Sequence, residues 1–144
     1  MFGRKKVAKK RTVLFVDDDE IILVSLVRGH LQDQPYSILA AKSSKEALEI
    51  LQQNEVHIIV TDMCMPEMTG LELLRIVRKE YPNITGMVLT GYELDIELQN
   101  AVAQGELFWL IPKPLWKLGG KFERLVRRAL NRSNLQNECN TVRR

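Results

Sequence analysis

The chain has 144 residues, 45% apolar and 27% charged, which suits one domain with a packed soluble core and argues against disorder. No run approaches the ~18 apolar residues of a membrane-spanning helix, and no apolar stretch follows the basic N-terminus as a secretory signal requires. Residues 1–11 hold six basic groups and no acid, residues 124–144 hold six arginines and one acid, and the stretch between carries 9 basic groups against 17 acids. An acidic body with basic ends lacks the basic face of a nucleic-acid-binding domain, and the ends read as solvated tails. Cys64 and Cys139 make neither a disulfide framework nor a zinc pattern, so a reducing cytoplasm is the expected compartment.

Taken in chain order, short apolar runs alternate with helix-period segments. Residues 12–16 (TVLFV) predict a strand that stops at Asp17, Asp18 and Asp19. Residues 21–31 place Ile22, Leu23, Leu26, Val27 and Leu31 at helical spacing, and residues 36–41 predict a second strand after Pro35. Ser43-x-x-Glu46 is a capping box opening a helix over 43–53, with Ala47, Leu48 and Leu51 on one face. Residues 56–61 form a third strand ending at Asp62, with His57 at its start as a surface residue. Thr69-x-x-Glu72 opens a third helix with Leu71, Leu74, Ile76 and Val77 inward, which Pro82 ends.

Residues 86–90 predict a fourth strand and 94–104 a fourth helix closed by Gly105. Residues 107–111 predict a fifth strand, with Phe108 and Leu110 on one face and Trp109 on the other. The last helix is expected over 121–130, with Phe122, Leu125, Val126 and Leu130 apolar. Five strand–helix units with apolar strands imply an α/β fold, a parallel sheet covered on both faces and doubly wound by right-handed crossovers. In such sheets the site lies beyond the carboxyl ends of the strands.

Those ends carry Asp17, Asp18, Asp19 and Glu20, then Asp62, Thr90-Gly91 and Lys113. Clustered carboxylates repel unless a cation joins them. Oxygen ligands with open positions suit Mg²⁺, and a lysine with a hydroxyl opposite would hold the other oxygens of a phosphoryl group. The chemistry suggested is phosphoryl transfer onto a carboxylate. Asp19 or Glu20 is expected to serve the first helical turn as a cap. Met63, Met65 and Met68 read as loop and core packing.

The runs VLFVDDDE (13–20), VTDMCMPEMTG (60–70), VLTGY (88–92) and IPKP (111–114) resemble the receiver domains of two-component response regulators, over about residues 12–131. The resemblance implies a flavodoxin-like five-stranded sheet of order 2-1-3-4-5, with 1–11 a basic tail and 132–144 a polar tail or linker. It implies that Asp62 accepts a phosphoryl group from a histidine kinase or phosphotransfer protein. Asp18 would ligate Mg²⁺ directly and Asp17 largely through water, with Cys64 lending its backbone carbonyl. Thr90 would be the switch hydroxyl and Lys113 the phosphate-binding lysine, while the N–H groups of Met63 and Gly91 would face the phosphoryl oxygens. The Lys113–Pro114 bond matches one that is cis in the family. No enzyme activity is implied beyond self-phosphorylation from a phosphodonor and autodephosphorylation.

The implied partners beyond the kinase are an output domain or downstream protein, and a second copy through the face of the fourth helix, fifth strand and fifth helix. Residues 91–114 (GYELDIELQNAVAQGELFWLIPKP) resemble receivers attached to HD-type phosphodiesterase domains. The chain departs from the family at Leu110, where an aromatic is usual, so that either the switch is muted or Phe108 or Tyr92 substitutes. It departs again at Pro112, which removes a ladder donor, and in the lengthened segment 115–120. Two alternatives follow: a receiver fold that binds partners without phosphorylation, and a haloacid-dehalogenase-like phosphatase using Asp17-x-Asp19. The phosphatase reading leaves Asp62 without a role.

Overall fold

In the computed structural model, residues 11–25, 28, 35–91, 95–113 and 120–142 are described, the last ten by backbone alone. Five parallel strands, β1 (Thr12–Val16), β2 (Ser37–Ala41), β3 (Ile58–Asp62), β4 (Thr85–Thr90) and β5 (Trp109–Pro112), form one sheet of order β2-β1-β3-β4-β5. Between and after them run α1 (Glu20–Ser25), α2 (Ser44–Gln53), α3 (Gly70–Glu80), α4 (Ile96–Ala103) and α5 (Lys121–Val142). The expected doubly wound α/β fold and its strand order are therefore present.

Alternate residues of each strand feed two separate cores. Val13, Phe15, Ile58, Val60, Met87 and Leu89 pack with Leu23 of α1 and with Phe122, Val126 and Ala129 of α5. Leu14, Val16, Ile59 and Val88 pack with Ala47 and Leu51 of α2, Leu71, Leu74 and Val77 of α3, and Leu98 and Ala101 of α4. Both faces of β1 and β3 are thus covered, which is why Val13–Val16 and Ile58–Val60 are consecutive apolar residues rather than alternating ones. Each such fully buried aliphatic or aromatic side chain contributes about 1.5–3 kcal/mol. The Phe15 and Phe122 rings lie 5.9 Å apart at 45° and tie β1 to α5.

The two expected caps are made: Ser43 Oγ accepts the Glu46 N–H at 3.1 Å, and Thr69 Oγ1 accepts that of Glu72 at 3.2 Å. Gly105, at φ +80°, lies just past the end of α4 in a conformation that suits glycine.

Several expectations need correction. Leu73 is fully buried in α3 while Ile76 is only half-buried, because the covered arc of the helix is wider than one stripe and centred elsewhere. Phe108 and Leu110 do not share a face: Phe108 packs on the α1–α5 core and Leu110 on the other. Strand alternation begins only at Trp109, and the Phe108 ring lies under the Arg132 guanidinium, 5.3 Å from its centroid. The last helix does not stop at Leu130 but continues to Val142, with no proline or glycine to end it earlier.

His57 is not a plain surface residue. Its Nδ1 accepts the Thr12 N–H at 3.0 Å, closing the start of β1 onto β3. Leu26, Val27, Leu31, Tyr92, Pro114 and the segment 115–119 lie outside the described residues, as do residues 1–10. Among the described residues no helix is long and apolar enough to cross a membrane.

Candidate functional site

The parallel register brings the ends of β1, β3, β4 and β5 to one edge of the sheet. Asp17 follows β1 directly, Asp62 is the last residue of β3, Thr90 the last of β4, and Lys113 follows β5. Asp17, Asp62 and Thr90 are buried at 1%, 4% and 1% exposure, whereas Asp18 faces solvent. One carboxylate oxygen from each of Asp17, Asp18 and Asp62 lies within 4.8 Å of the others. The Lys113 ammonium is hydrogen-bonded to Asp62 Oδ1, and the Lys113 N–H is anchored on Thr90 O at 3.0 Å.

The run of three aspartates divides its labour. Asp17 N–H donates to Ala41 O at 3.1 Å, fixing the residue against β2, and Asp17 Oδ1 accepts the Asp19 N–H at 2.9 Å. Asp19 Oδ1 in turn accepts the Ile21 N–H at 3.0 Å, so Asp19 caps α1 as one of the two expected acids. Asp18 is left free to point at the cluster from the solvent side. Asp17 Oδ2 is buried and has no hydrogen-bond partner. A cluster of three carboxylates, one of them with a buried oxygen that has no hydrogen-bond partner, fits a hard divalent cation.

Burial, together with the Asp62 and Asp18 charges, pushes the Asp17 carboxyl up to about 6, although the Asp19 N–H and Lys113 oppose this. Burial works against the Lys113 ammonium, but the hydrogen bond and charge of Asp62, with Asp17 adding to them, carry it above its ordinary range.

Gly70 is a site residue whose role residue chemistry alone did not reveal. A Cβ there would lie 2.3 Å from Asp62 O and 3.1 Å from Met63 Cα, and the Gly70 N–H donates to Met63 O at 2.8 Å. Its absent side chain lets α3 abut the backbone that carries Asp62; the fixed spacing Asp-x3-Pro-x3-Gly was the available signal. Between them, Met68 N–H donates to Pro66 O at 2.8 Å around Glu67 at φ 71°, a tight three-residue turn.

Of the two expected backbone donors, Met63 is engaged with the neighbouring strand in this structure. Its N–H donates to Leu89 O at 3.0 Å, because pairing of β3 with β4 continues one residue past Asp62. Gly91, just beyond β4, is exposed at the mouth of the site. Cys64 is a free, exposed cysteine. Leu110 lines a groove of about 390 Å³ with Thr90, Gln99, Val102, Trp109 and Pro112, so the space beside Thr90 is open where a larger side chain would fill it.

A five-stranded 2-1-3-4-5 sheet with an acid cluster, a hydroxyl and a lysine at its carboxyl edge is the arrangement of a phosphoryl-signalling domain. Residues 13–118 match the model of the response regulator receiver domain, and the chain belongs to that family. It is 41% identical over 105 residues to the sensor kinase CckA of Brucella abortus, covering 72% of this chain and 11% of CckA. The signal receiver domain of an HD domain-containing protein from Pseudomonas fluorescens superposes with a TM-score of 0.79 at 28% identity, covering 88% of this chain and 98% of that one. The response regulator TrrA of Thermotoga maritima, solved in complex with Mg²⁺–BeF, superposes with a TM-score of 0.63 at 25% identity over 80% of this chain and 98% of that one. The chain is thus a receiver domain of two-component signalling, spanning only a small part of a relative such as CckA.

Proposed function

We propose that Asp62 is the phosphoacceptor, served by Lys113, Thr90 and a Mg²⁺ ion held by Asp17, Asp18, Asp62 and the Cys64 carbonyl. The observation that carries this reading is the meeting of the Asp17, Asp18 and Asp62 carboxylates, with the Lys113 ammonium hydrogen-bonded to Asp62. All the donors are hard oxygens, which fits Mg²⁺. When bound, the ion would neutralise charge on the incoming phosphoryl oxygens.

The donor is a phosphohistidine of a kinase or phosphotransfer protein. A carboxylate oxygen of Asp62 forms a bond to phosphorus as the phosphorus–nitrogen bond breaks, and the imidazole leaves, taking a proton from solvent. Lys113 holds Asp62 in place before transfer and then pairs with a phosphoryl oxygen, a charge-assisted contact. Thr90 donates its hydroxyl to another oxygen, with the Gly91 N–H beside it. That new contact on β4 is present in only one of two states, which is what a conformational relay requires. The readout is an attached output domain or a downstream protein.

Intact-mass measurement after incubation with acetyl phosphate and Mg²⁺ tests the assignment. Wild type should gain one phosphoryl group and Asp62→Asn none. Equal labelling of the two proteins would move the nucleophile elsewhere.

A further inference from the structure

Helix α4 is thinly seated. It has 8 residues, buries only Leu98 and Ala101 fully, and leaves Ile96 72% exposed. A helix this short owes its stability to tertiary contacts rather than to its own hydrogen bonds.

A single side chain of α3 reaches both ends of it. Arg75 Nη1 donates to Glu97 Oε1 at 3.3 Å, and Arg75 Nε donates to Glu106 Oε2 at 3.1 Å. Glu97 lies in the first turn of α4, and Glu106 follows the helix end on the way into β5. One planar guanidinium therefore spends two parts of its fork on two carboxylates that bracket the helix. The two arms are unequal: the Glu106 side chain is 20% exposed and that of Glu97 61%, so the Glu106 arm is the better shielded from water and salt.

We propose that Arg75 is an ionic clasp that holds α4 against α3 by both ends and sets how readily α4 leaves that position. The clasp joins α3 to the first turn of α4 and to Glu106, which precedes β5. Its role in signalling rests on the phosphoacceptor reading above, but the clasp itself is measured on unmodified protein, so failure of one is distinguishable from failure of the other.

The test is amide hydrogen exchange of residues 96–106 in the full chain at low and high salt, with residues 47–53 of α2 as the internal reference. At low salt Arg75→Gln should speed exchange in α4 about three- to five-fold, the range expected for losing one or two exposed pairs, and leave α2 unchanged. Glu106→Gln should have a larger effect than Glu97→Gln, and Arg75→Lys an intermediate one, since an ammonium cannot serve two separated carboxylates through a planar fork. High salt should bring wild type toward the Arg75→Gln rate. Unchanged α4 exchange in Arg75→Gln, or a rise shared equally by α2, would overturn the clasp. If Arg75→Gln does not fold, the salt dependence of wild-type α4 relative to α2 decides: a selective rise supports the clasp and a flat response overturns it.

Discussion

Replacing Asp17 with asparagine should stabilise the metal-free protein while weakening its use of Mg²⁺. Asp17 binds a proton more tightly in the folded state than in the unfolded chain, its carboxyl moving from 3.8 to about 6. Stability therefore falls as pH rises through that interval and stays lower above it. Two pKa units correspond to about 3 kcal/mol. The cluster opens to water at exposed Asp18, which screens part of this, so the gain expected from removing the charge is about 1–3 kcal/mol. Asparagine keeps an oxygen for the Asp19 N–H and brings an amide that can donate to the neighbouring carboxylates. Urea denaturation in excess EDTA at about pH 7.5 should find Asp17→Asn more stable than wild type, with the difference shrinking toward about pH 4 as the wild-type acid protonates. Adding Mg²⁺ should stabilise wild type more than the variant, because only the ion-binding folded state benefits. A variant less stable than wild type at neutral pH without metal, or a difference that ignores pH, would refute the electrostatic reasoning.

Asp18→Ala should weaken Mg²⁺ binding several-fold in calorimetric titration, whereas Asp19→Ala should cost about 1 kcal/mol of stability through loss of the α1 cap and leave metal affinity nearly intact. Gly70→Ala should cut phosphorylation by acetyl phosphate about ten-fold or more while circular dichroism still reports a folded protein, since the added methyl must push the Asp62 backbone out of line; unaltered labelling would show that the close approach is not needed. Burial, then the Arg11 charge, hold the His57 imidazole below its ordinary range, so the folded protein favours the neutral form that accepts the Thr12 N–H. Its contribution is complete above about pH 6.5 and is lost as pH falls below that value, and His57→Gln should flatten that part of the stability profile in thermal melts.

Most of the fold was legible because burial on two faces leaves a plain mark: Val13–Val16 of β1 and Ile58–Val60 of β3 are unbroken apolar runs, and the caps at Ser43 and Thr69 follow a fixed spacing. The site was legible for a related reason, since chemistry-bearing residues at strand ends converge once the sheet is parallel. What the sequence did not reveal depends on three-dimensional detail. The Met63 N–H is taken by Leu89 because ladder pairing runs one residue past Asp62, and nothing local marks where pairing stops. Phe108 turns to the face opposite Leu110 because alternation is a property of the strand, which starts only at Trp109. His57 becomes an acceptor for Thr12 through a contact spanning 45 positions, which no local pattern encodes. The grip of Arg75 on both ends of α4 belongs to the same class of long-range pairing.

The central claim is that Asp62 itself takes the phosphoryl group, and borohydride trapping tests it most directly. Protein treated with acetyl phosphate and Mg²⁺ is reduced with borohydride, which converts an aspartyl phosphate to homoserine, and the peptides are sequenced by tandem mass spectrometry. Homoserine should appear at position 62, depend on Mg²⁺, and fall sharply in Lys113→Ala. Homoserine at Asp17 or Asp18 instead, or none anywhere in a protein that remains folded, would contradict the assignment.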